Sequence, residues 1–496
     1  MRNPTLFHFV ILSILFVRSS WSAEAPNIIL LMGDDHGWDE TGYNGHPHLK
    51  TPVLDEMART GLRLDRFYSA HPSCSPTRGS IITGRHPIRY GTHAPNWSLR
   101  PEEISIAQIL NEAGYLCGHF GKWHLGPVKK ESPTSPGAMG FHEWLSHDNF
   151  FELDPILSRN GGPPEKVEGE GSQVIIDETM SFISRAKKGG KPFFTVVWFG
   201  SPHEPYSGLP NDLALYDDLP EEYQKKKVKL TSNETGKPTQ RRFDEVLRER
   251  FAEITAMDRS IGVLREFLKK EGLRNNTLVW YCGDNGVPSS GRVATPFRGQ
   301  KGLVYEGGVR VPGVIEWPKR IPKPMSSDVN SVTSDMLPTI CELIGRPLPK
   351  RPLDGISLVP LLDGKMKKRL SPIGFWNYQA GRESGTPWID VKLQEGTTPL
   401  VKFMAGRLTR NFRNLHHPKI VEADYGGART ILDDRYKLVV DASGSGQELF
   451  DIRKDPAEKN NLIQTYPRIA AELSRKLRVW QTSVLTSLTG ADYESE

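Results

Sequence analysis

Asn27-Ile28-Ile29-Leu30-Leu31-Met32-Gly33-Asp34-Asp35-His36 is an apolar run that ends abruptly on two adjacent carboxylates. A run this short and this apolar reads as a strand covered on both faces. From Asn27 to about Ile344 such runs recur at Leu116 to Phe120, Phe193 to Phe199 and Leu278 to Tyr281. Helical patterns alternate with them, among them Ile106 to Ala113, closed by Gly114, and Phe243 to Lys270, closed by Gly272. Alternation of this kind predicts βαβ units: a large doubly wound α/β/α sandwich with a mostly parallel sheet.

In open α/β sheets ligands collect beyond the carboxyl ends of the strands. Polar groups that directly follow apolar runs are therefore the first candidates for chemistry. The opening run delivers Asp34 and Asp35, and Leu278 to Tyr281 leads into Asp284 and Asn285. Three carboxylates and an amide suit an oxygen-liking divalent cation, Ca²⁺ better than Zn²⁺. One Asp-Asp pair is equally well explained by a turn or helix cap; a second acidic strand end favours the metal. Lys122 and His124 follow the Leu116 run, and His203 follows the Phe193 run. Lys301 lies in an Arg-Gly-Gln-Lys-Gly loop. Taken singly, each is an ordinary structural or surface residue. Converging beside a metal, they form a pocket for a compact anion, with histidine able to move protons near neutral pH.

The chain has 496 residues, a quarter of them charged, and a net charge of +5. Arg2 and Arg18 supply two of those charges, so nothing in the balance argues for a nucleic-acid partner. Arg2, the apolar stretch Leu6 to Val17, and Ser20 and Ser22 before Ala23 read as an export signal over residues 1–22. A stable membrane anchor is the competing reading, but the stretch is shorter than the roughly 20 residues a span needs. A secreted or periplasmic protein is expected. The four cysteines, Cys74, Cys117, Cys282 and Cys341, are too sparse for a disulfide framework.

Pro, Gly and basic residues over Arg346 to Arg369 suggest a connection, dividing the mature chain into residues 23–369 and 370–496. The second part reads as a smaller α+β domain. Its expected strands are Ile373 to Tyr378, Ala428 to Leu432, Tyr436 to Val440 and Glu448 to Asp451, in an antiparallel sheet with one helix from Pro467 to about Ser483. Asp148 to Lys191 and Gly208 to Gln240 are rich in Gly, Pro and charge and read as loops.

Cys74 stands apart from the other cysteines, in a polar stretch. Pro76 suits the first turn of a helix running to about Thr83 and stopped by Gly84, which puts Cys74 at an anion-favouring N-terminus. A cysteine-phosphatase loop needs five residues between Cys and Arg, and three are present. P-loop and serine-hydrolase patterns are absent.

Cys74-Ser75-Pro76-Thr77-Arg78, continuing to Thr83-Gly84-Arg85, resembles the C-x-P-x-R…T-G-R signature of the type I, arylsulfatase-like sulfatases, relatives of alkaline phosphatase. The likeness extends to Asp34-Asp35, the Gly121 to Gly126 block, His203, Asp284-Asn285-Gly286, Lys301, the Glu306 to Gly313 block and the closing Glu448 to Pro456 run, in the family's order. The resemblance implies that a maturation enzyme oxidises Cys74 to formylglycine, whose hydrate is the nucleophile. Asp34, Asp35, Asp284 and Asn285, together with residue 74, would hold Ca²⁺. Arg78, with the metal, would lower the hydroxyl pKa and neutralise charge on the sulfate, and Lys122 and Lys301 would bind sulfate or formylglycine oxygens. His203, helped by Lys301, would protonate the leaving alcohol, and His124 would take the proton whose loss expels sulfate.

Two positions depart from the pattern: His36, where Gln or Leu is common, and Gly283, where Ser is frequent. A sulfated carbohydrate is the expected substrate, with Trp97, His147, Asp148, Asn149, Glu204 and Arg298 as candidate readers of the sugar on rim loops. The alternatives are a phosphatase or phosphodiesterase of the same superfamily, or an unmatured protein that grips sulfated glycans without cutting them. Asn96-Trp97-Ser98, Asn233-Glu234-Thr235 and Asn275-Asn276-Thr277 match the glycosylation acceptor pattern.

Overall fold

The opening run forms the strand Asn27–Gly33, and all seven of its residues are buried. It pairs in parallel with Thr277–Gly283 on one side and Phe193–Trp198 on the other. Leu116–Lys122 and Glu143–His147 continue the parallel set. Antiparallel strands flank it at both edges, completing a sheet of ten strands. The computed structural model describes residues 25–233, 235–379, 385–399, 403–404 and 407–493. The export signal expected over residues 1–22 lies outside them, as does Glu234 in the second glycosylation triplet. No helix among the described residues is long and apolar enough to cross a membrane.

Successive strand residues face opposite sides of a sheet, so every apolar position in the central strands finds a core. Ile28, Leu30 and Met32 join Trp198, Trp280 and the helices Cys74–Thr83, Ile106–Glu112 and Met336–Leu343 on one face. Ile29 and Leu31 join Val197, Tyr281 and the helices Gly171–Lys188 and Phe243–Lys270 on the other. This is the doubly wound α/β/α sandwich. Cys74, Cys117, Cys282 and Cys341 are all free and buried.

The loop reading of residues 148–191 is corrected. Two short strands and the 18-residue helix Gly171–Lys188 occupy much of it. Val174, Ile175, Thr179, Phe182, Ile183 and Ala186 are buried at helical spacing, and the Glu170 carboxylate caps the first turn by accepting from the amides of Ser172 and Gln173. Flanking Gly and charge masked that stripe. The second supposed loop also holds two short helices and a hairpin of Lys227–Thr231 with Pro238–Arg242.

The smaller sheet is antiparallel, in the order Ile373–Asn377, Ala428–Asp433, Tyr436–Val440, Gln447–Asp451. The helix Pro467–Leu488 packs on it with Leu473 and Leu477. It runs past Ser483 because Val484, Leu485 and Leu488 continue the apolar stripe onto Ile88, Trp376 and Tyr378.

Candidate active site

The helix Cys74–Thr83 begins on Cys74, directly after extended Ser73, and stops at Gly84, whose φ of 69° is left-handed. Pro76 falls in the first turn, where a missing amide hydrogen costs nothing. Every residue of this helix is buried. Arg78, one turn after Cys74, donates to Asp284 Oδ2 (2.9 Å) and to the Lys122 carbonyl (3.1 Å), and its guanidinium lies 5.1 Å from the Trp198 ring. Cys74 Sγ is 3.8 Å from Asp35 Oδ1.

The two acidic strand ends converge. Asp35 N donates to Asp284 Oδ1 (2.8 Å), and Asn285 Nδ2 donates to Asp35 Oδ1 (2.9 Å). Lys122 pairs with Asp34, Arg78 with Asp34 and Asp284, and Lys301 with Asp35 (2.6 Å). Burial would raise the Asp34 carboxyl, but Lys122, His203 and Arg78 hold it well below its ordinary value. Burial and the neighbouring Asp34 charge instead push Asp284 up to about 8. Three carboxylates thus face three cations, and one of the three cannot hold its charge comfortably. Asn285 Oδ1 is buried with no hydrogen-bond partner, and Asp34 Oδ1 is engaged only by the long Arg78 ion pair (3.4 Å). Under-engaged oxygens on buried strand ends are what a hard, oxygen-liking divalent cation would satisfy, so the donor set fits a cation of that class.

Both expected histidines reach this centre in defined tautomers. Asn96 Nδ2 donates to the carbonyls of Thr409 (2.6 Å) and Asn411 (3.2 Å), which fixes Asn96 Oδ1 as the acceptor for His124 Nε2 (3.3 Å). His124 Nδ1 therefore carries the lone pair, and no protein group engages it. Burial, Lys122 and Arg78 hold His124 far below its usual pKa. His203 Nδ1 donates to the Glu204 carbonyl (2.5 Å), leaving Nε2 3.7 Å from Asp35 Oδ2. Burial and the Lys301 charge lower its pKa to about 3.

A cavity of about 640 Å³ opens above Cys74, lined by His124, His203 and Lys301. Of the six proposed sugar readers only Asn149 lines it. Trp97 and His147 are 2% exposed and Asp148 is fully buried, so none of the three stands on a rim. The Asp148 carboxylate accepts instead from the amides of Val128, Thr397 and Thr398. Glu204 contributes its carbonyl to His203, and Arg298 pairs with Glu448 (2.9 Å). The pocket is closed by residues with no motif to announce them: Phe150, Thr409, Asn411, Phe412 and Arg413. Phe150 stacks on His203 (4.8 Å, 13°), and Phe412 sits edge-on to His124 (6.1 Å).

Arg250 is another residue the motifs do not reveal. It is fully buried on the long helix, forks onto Glu40 (2.7 and 2.6 Å), and donates to the carbonyls of Pro202 (2.5 Å) and Asp35 (2.6 Å). One side chain thus ties down the backbone at Asp35, held at a φ of +61°, and next to His203. The signal was legible: Arg250 interrupts the apolar stripe Val246, Leu247, Phe251, Ile254.

A family model described as Sulfatase matches residues 26–346. The chain belongs to the sulfatase family. As a sulfatase, a sulfuric ester hydrolase, it is set apart from the phosphatase reading of the same fold. The sulfatase is 30% identical over 402 residues to N-acetylgalactosamine-6-sulfatase of Canis lupus familiaris, covering 73% of this chain and 70% of the relative. To arylsulfatase A of Homo sapiens it is 31% identical over 369 residues, covering 71% of each. In fold it resembles the structure of Ps i-CgsB in complex with k-i-k-neocarrahexaose, with a TM-score of 0.73, 22% identity and 93% of both chains covered.

Proposed function

We propose that this sulfatase is an exported enzyme that removes sulfate from carbohydrates, using a formylglycine made from Cys74 by a separate maturation enzyme and a Ca²⁺ held by Asp34, Asp35, Asp284 and Asn285. The observation that carries the reading is the meeting of Cys74, three carboxylates and three cations at one buried point beneath an open cavity. The relatives named for sulfated sugars support the substrate class. Residues 23–369 form the catalytic part in this reading, and residues 370–496 the smaller one.

When bound, the metal supplies positive charge that stabilises anionic oxygens. The formylglycine hydrate supplies two hydroxyls on one carbon. The chain's own groups do the rest. Arg78, anchored on Asp284 and backed by Trp198, and Lys122 hold sulfate oxygens at fixed positions, so little reorganisation is needed as charge develops. His203 is kept neutral by burial and Lys301, so in this reading the proton starts on the Lys301 ammonium, which shares Asp35 with His203; as the ester bond breaks, His203 Nε2 takes that proton and passes it to the leaving oxygen, leaving Lys301 neutral until the next proton enters. His124 offers Nδ1 as the base for the proton that leaves the second hydroxyl.

Maturation is read from the mass of the tryptic peptide Phe67 to Arg78, and chemistry from an aryl sulfate compared with the phosphate of the same alcohol. An aldehyde at residue 74, preference for sulfate and loss of turnover on exhaustive chelation are expected. A thiol at residue 74 in protein from the native source would leave a glycan-binding role instead. Turnover that survives chelation would remove the metal.

A further inference from the structure

We propose that the hairpin of residues 227–242 is a docking surface for the sulfated glycan chain beyond the sugar being cut, and that Lys227, Lys229 and Lys237 attract its repeated anions. The inference rests on the sulfatase reading and adds to it a second, non-catalytic contact with a polymeric substrate.

Positive charge is concentrated there. Residues 225–242 hold seven lysines and arginines against one acidic residue, so this short segment carries more net charge than the whole chain with its +5. Side chains alternate between faces along a strand. Val228 and Arg241, paired across the hairpin, are half-buried, whereas Lys227, Lys229, Gln240 and Arg242 are exposed on the other face. Arg242 is taken up by Asp244 (2.6 Å), and Lys225 by Glu221 (3.5 Å). Lys227, Lys229 and the exposed Lys237 have no ion pair among the described residues. Lys227 stands directly opposite Arg242, and like charges in that position weaken a strand pair. The outer face is thus a cost to the hairpin by itself and a gain only against anions. Lysine suits the task, since a point charge on a flexible stem follows anions of varying spacing where an arginine fork would demand one geometry.

The hairpin also stands at the catalytic end of the sheet. The helix Phe243–Lys270 leads into the start of the strand Thr277–Gly283, which runs parallel to Asn27–Gly33, so the helix itself begins at the carboxyl end, where Asp34 and Asp35 lie. Arg241 forks onto Glu249 (2.8 and 2.7 Å), the neighbour of Arg250, whose guanidinium holds the Asp35 and Pro202 carbonyls. One helical turn therefore fixes both the hairpin and the backbone of the site. Phe243 N donates to the Lys226 carbonyl (3.0 Å) and pins the other strand. Phe243 stands about 10 Å further along the helix axis than Arg250, and no hairpin residue lines the cavity. A ligand confined to the cavity ends short of the lysines; a chain that extends from it runs towards them.

The test uses matured, Ca²⁺-loaded full-length enzyme and the variant Lys227→Ser/Lys229→Ser/Lys237→Ser, whose three positions are exposed and outside the catalytic centre. Binding is measured on immobilised heparin, a densely sulfated polysaccharide, with uncharged dextran as the control, and turnover on 4-nitrocatechol sulfate. The variant should bind heparin at least about tenfold more weakly, and wild-type affinity should fall as NaCl rises. Heparin should inhibit aryl sulfate turnover with a Ki raised by the same factor in the variant, while inorganic sulfate, small enough for the cavity alone, inhibits both proteins equally. An unchanged kcat/KM on the aryl sulfate shows that the variant is folded. Equal heparin affinity in the two proteins, or wild-type binding no tighter than to dextran, overturns the proposal and leaves the sulfatase reading intact. Absence of aryl sulfate turnover overturns that reading instead, and the heparin affinities still decide the role of the hairpin.

Discussion

At the scale of single residues, the two departures from the family pattern lie against each other. His36 is buried, its ring bonded to the Tyr281 hydroxyl (2.5 Å) and the Glu40 carbonyl (2.6 Å). That seat brings the His36 carbonyl against Gly283, where a Cβ would lie 1.9 Å from the oxygen. The glycine is therefore required by the path of the backbone at His36. Gly283→Ser should destabilise the protein by about 1–3 kcal/mol through overpacking, read as a lower urea midpoint. An unchanged midpoint would show that the His36 turn yields easily. The residues that converge on Cys74 were legible in the sequence because each follows an apolar run or sits in a short fixed motif. Phe412 and Arg413 were not, because an irregular segment carries no period and pockets are closed by whatever the chain brings near.

At the scale of elements, the long helix Phe243–Lys270 does more than cover the sheet. Its Arg250 holds the carbonyls of Asp35 and Pro202, so Arg250→Lys, which keeps a charge for Glu40 but loses the fork, should lower kcat about tenfold to a hundredfold. A loss of thermal stability with kcat unchanged would reduce Arg250 to a packing residue. About two turns further on, Asp258 caps the helix Pro52–Thr60 by accepting from the amides of Val53 (2.9 Å) and Leu54 (2.8 Å). Burial raises its pKa to about 7, against roughly 3.9 in an unfolded chain. Between those values the folded state holds the extra proton, so this contribution to stability falls as pH rises from about 4 to about 7 and is flat above. Asp258→Asn should flatten that part of the pH dependence of the urea midpoint. An identical slope in the variant would mean that Asp258 does not titrate there. The helix Gly171–Lys188 shows where the sequence misled: its stripe is sound, but Gly and charge at both ends outweighed it in a reading by composition.

At the scale of the whole molecule, residues 492 and 493 return to the part of the chain that carries the Cys74 helix. Arg85, just past the end of the Cys74 helix, pairs with Glu103 (2.8 Å) and with Asp492. Tyr493 packs against Arg100 (3.7 Å) and Arg351 (4.5 Å). Deleting residues 491–496 should lower stability by about 1–3 kcal/mol, since Arg85 keeps Glu103 but loses its second partner. Unchanged denaturation curves would show the tail to be a bystander. The sequence announced the broad architecture through its alternating apolar runs, but not this closure, because contacts between chain ends leave no local pattern.

The helix that starts at Cys74 is buried along its entire length, with Ser75, Thr77 and Arg78 at 0% exposure. An enzyme that must grasp the Cys74 to Arg78 segment to oxidise it has nothing to grasp once the sheet has closed over that helix. In the proposed function, conversion and folding would therefore compete in time: a modifying enzyme would have to act on the emerging chain, and any molecule that folded first would keep its thiol. The active fraction of a preparation would be a record of that race, set by the rate of synthesis and the supply of the modifying enzyme as much as by anything in the finished fold.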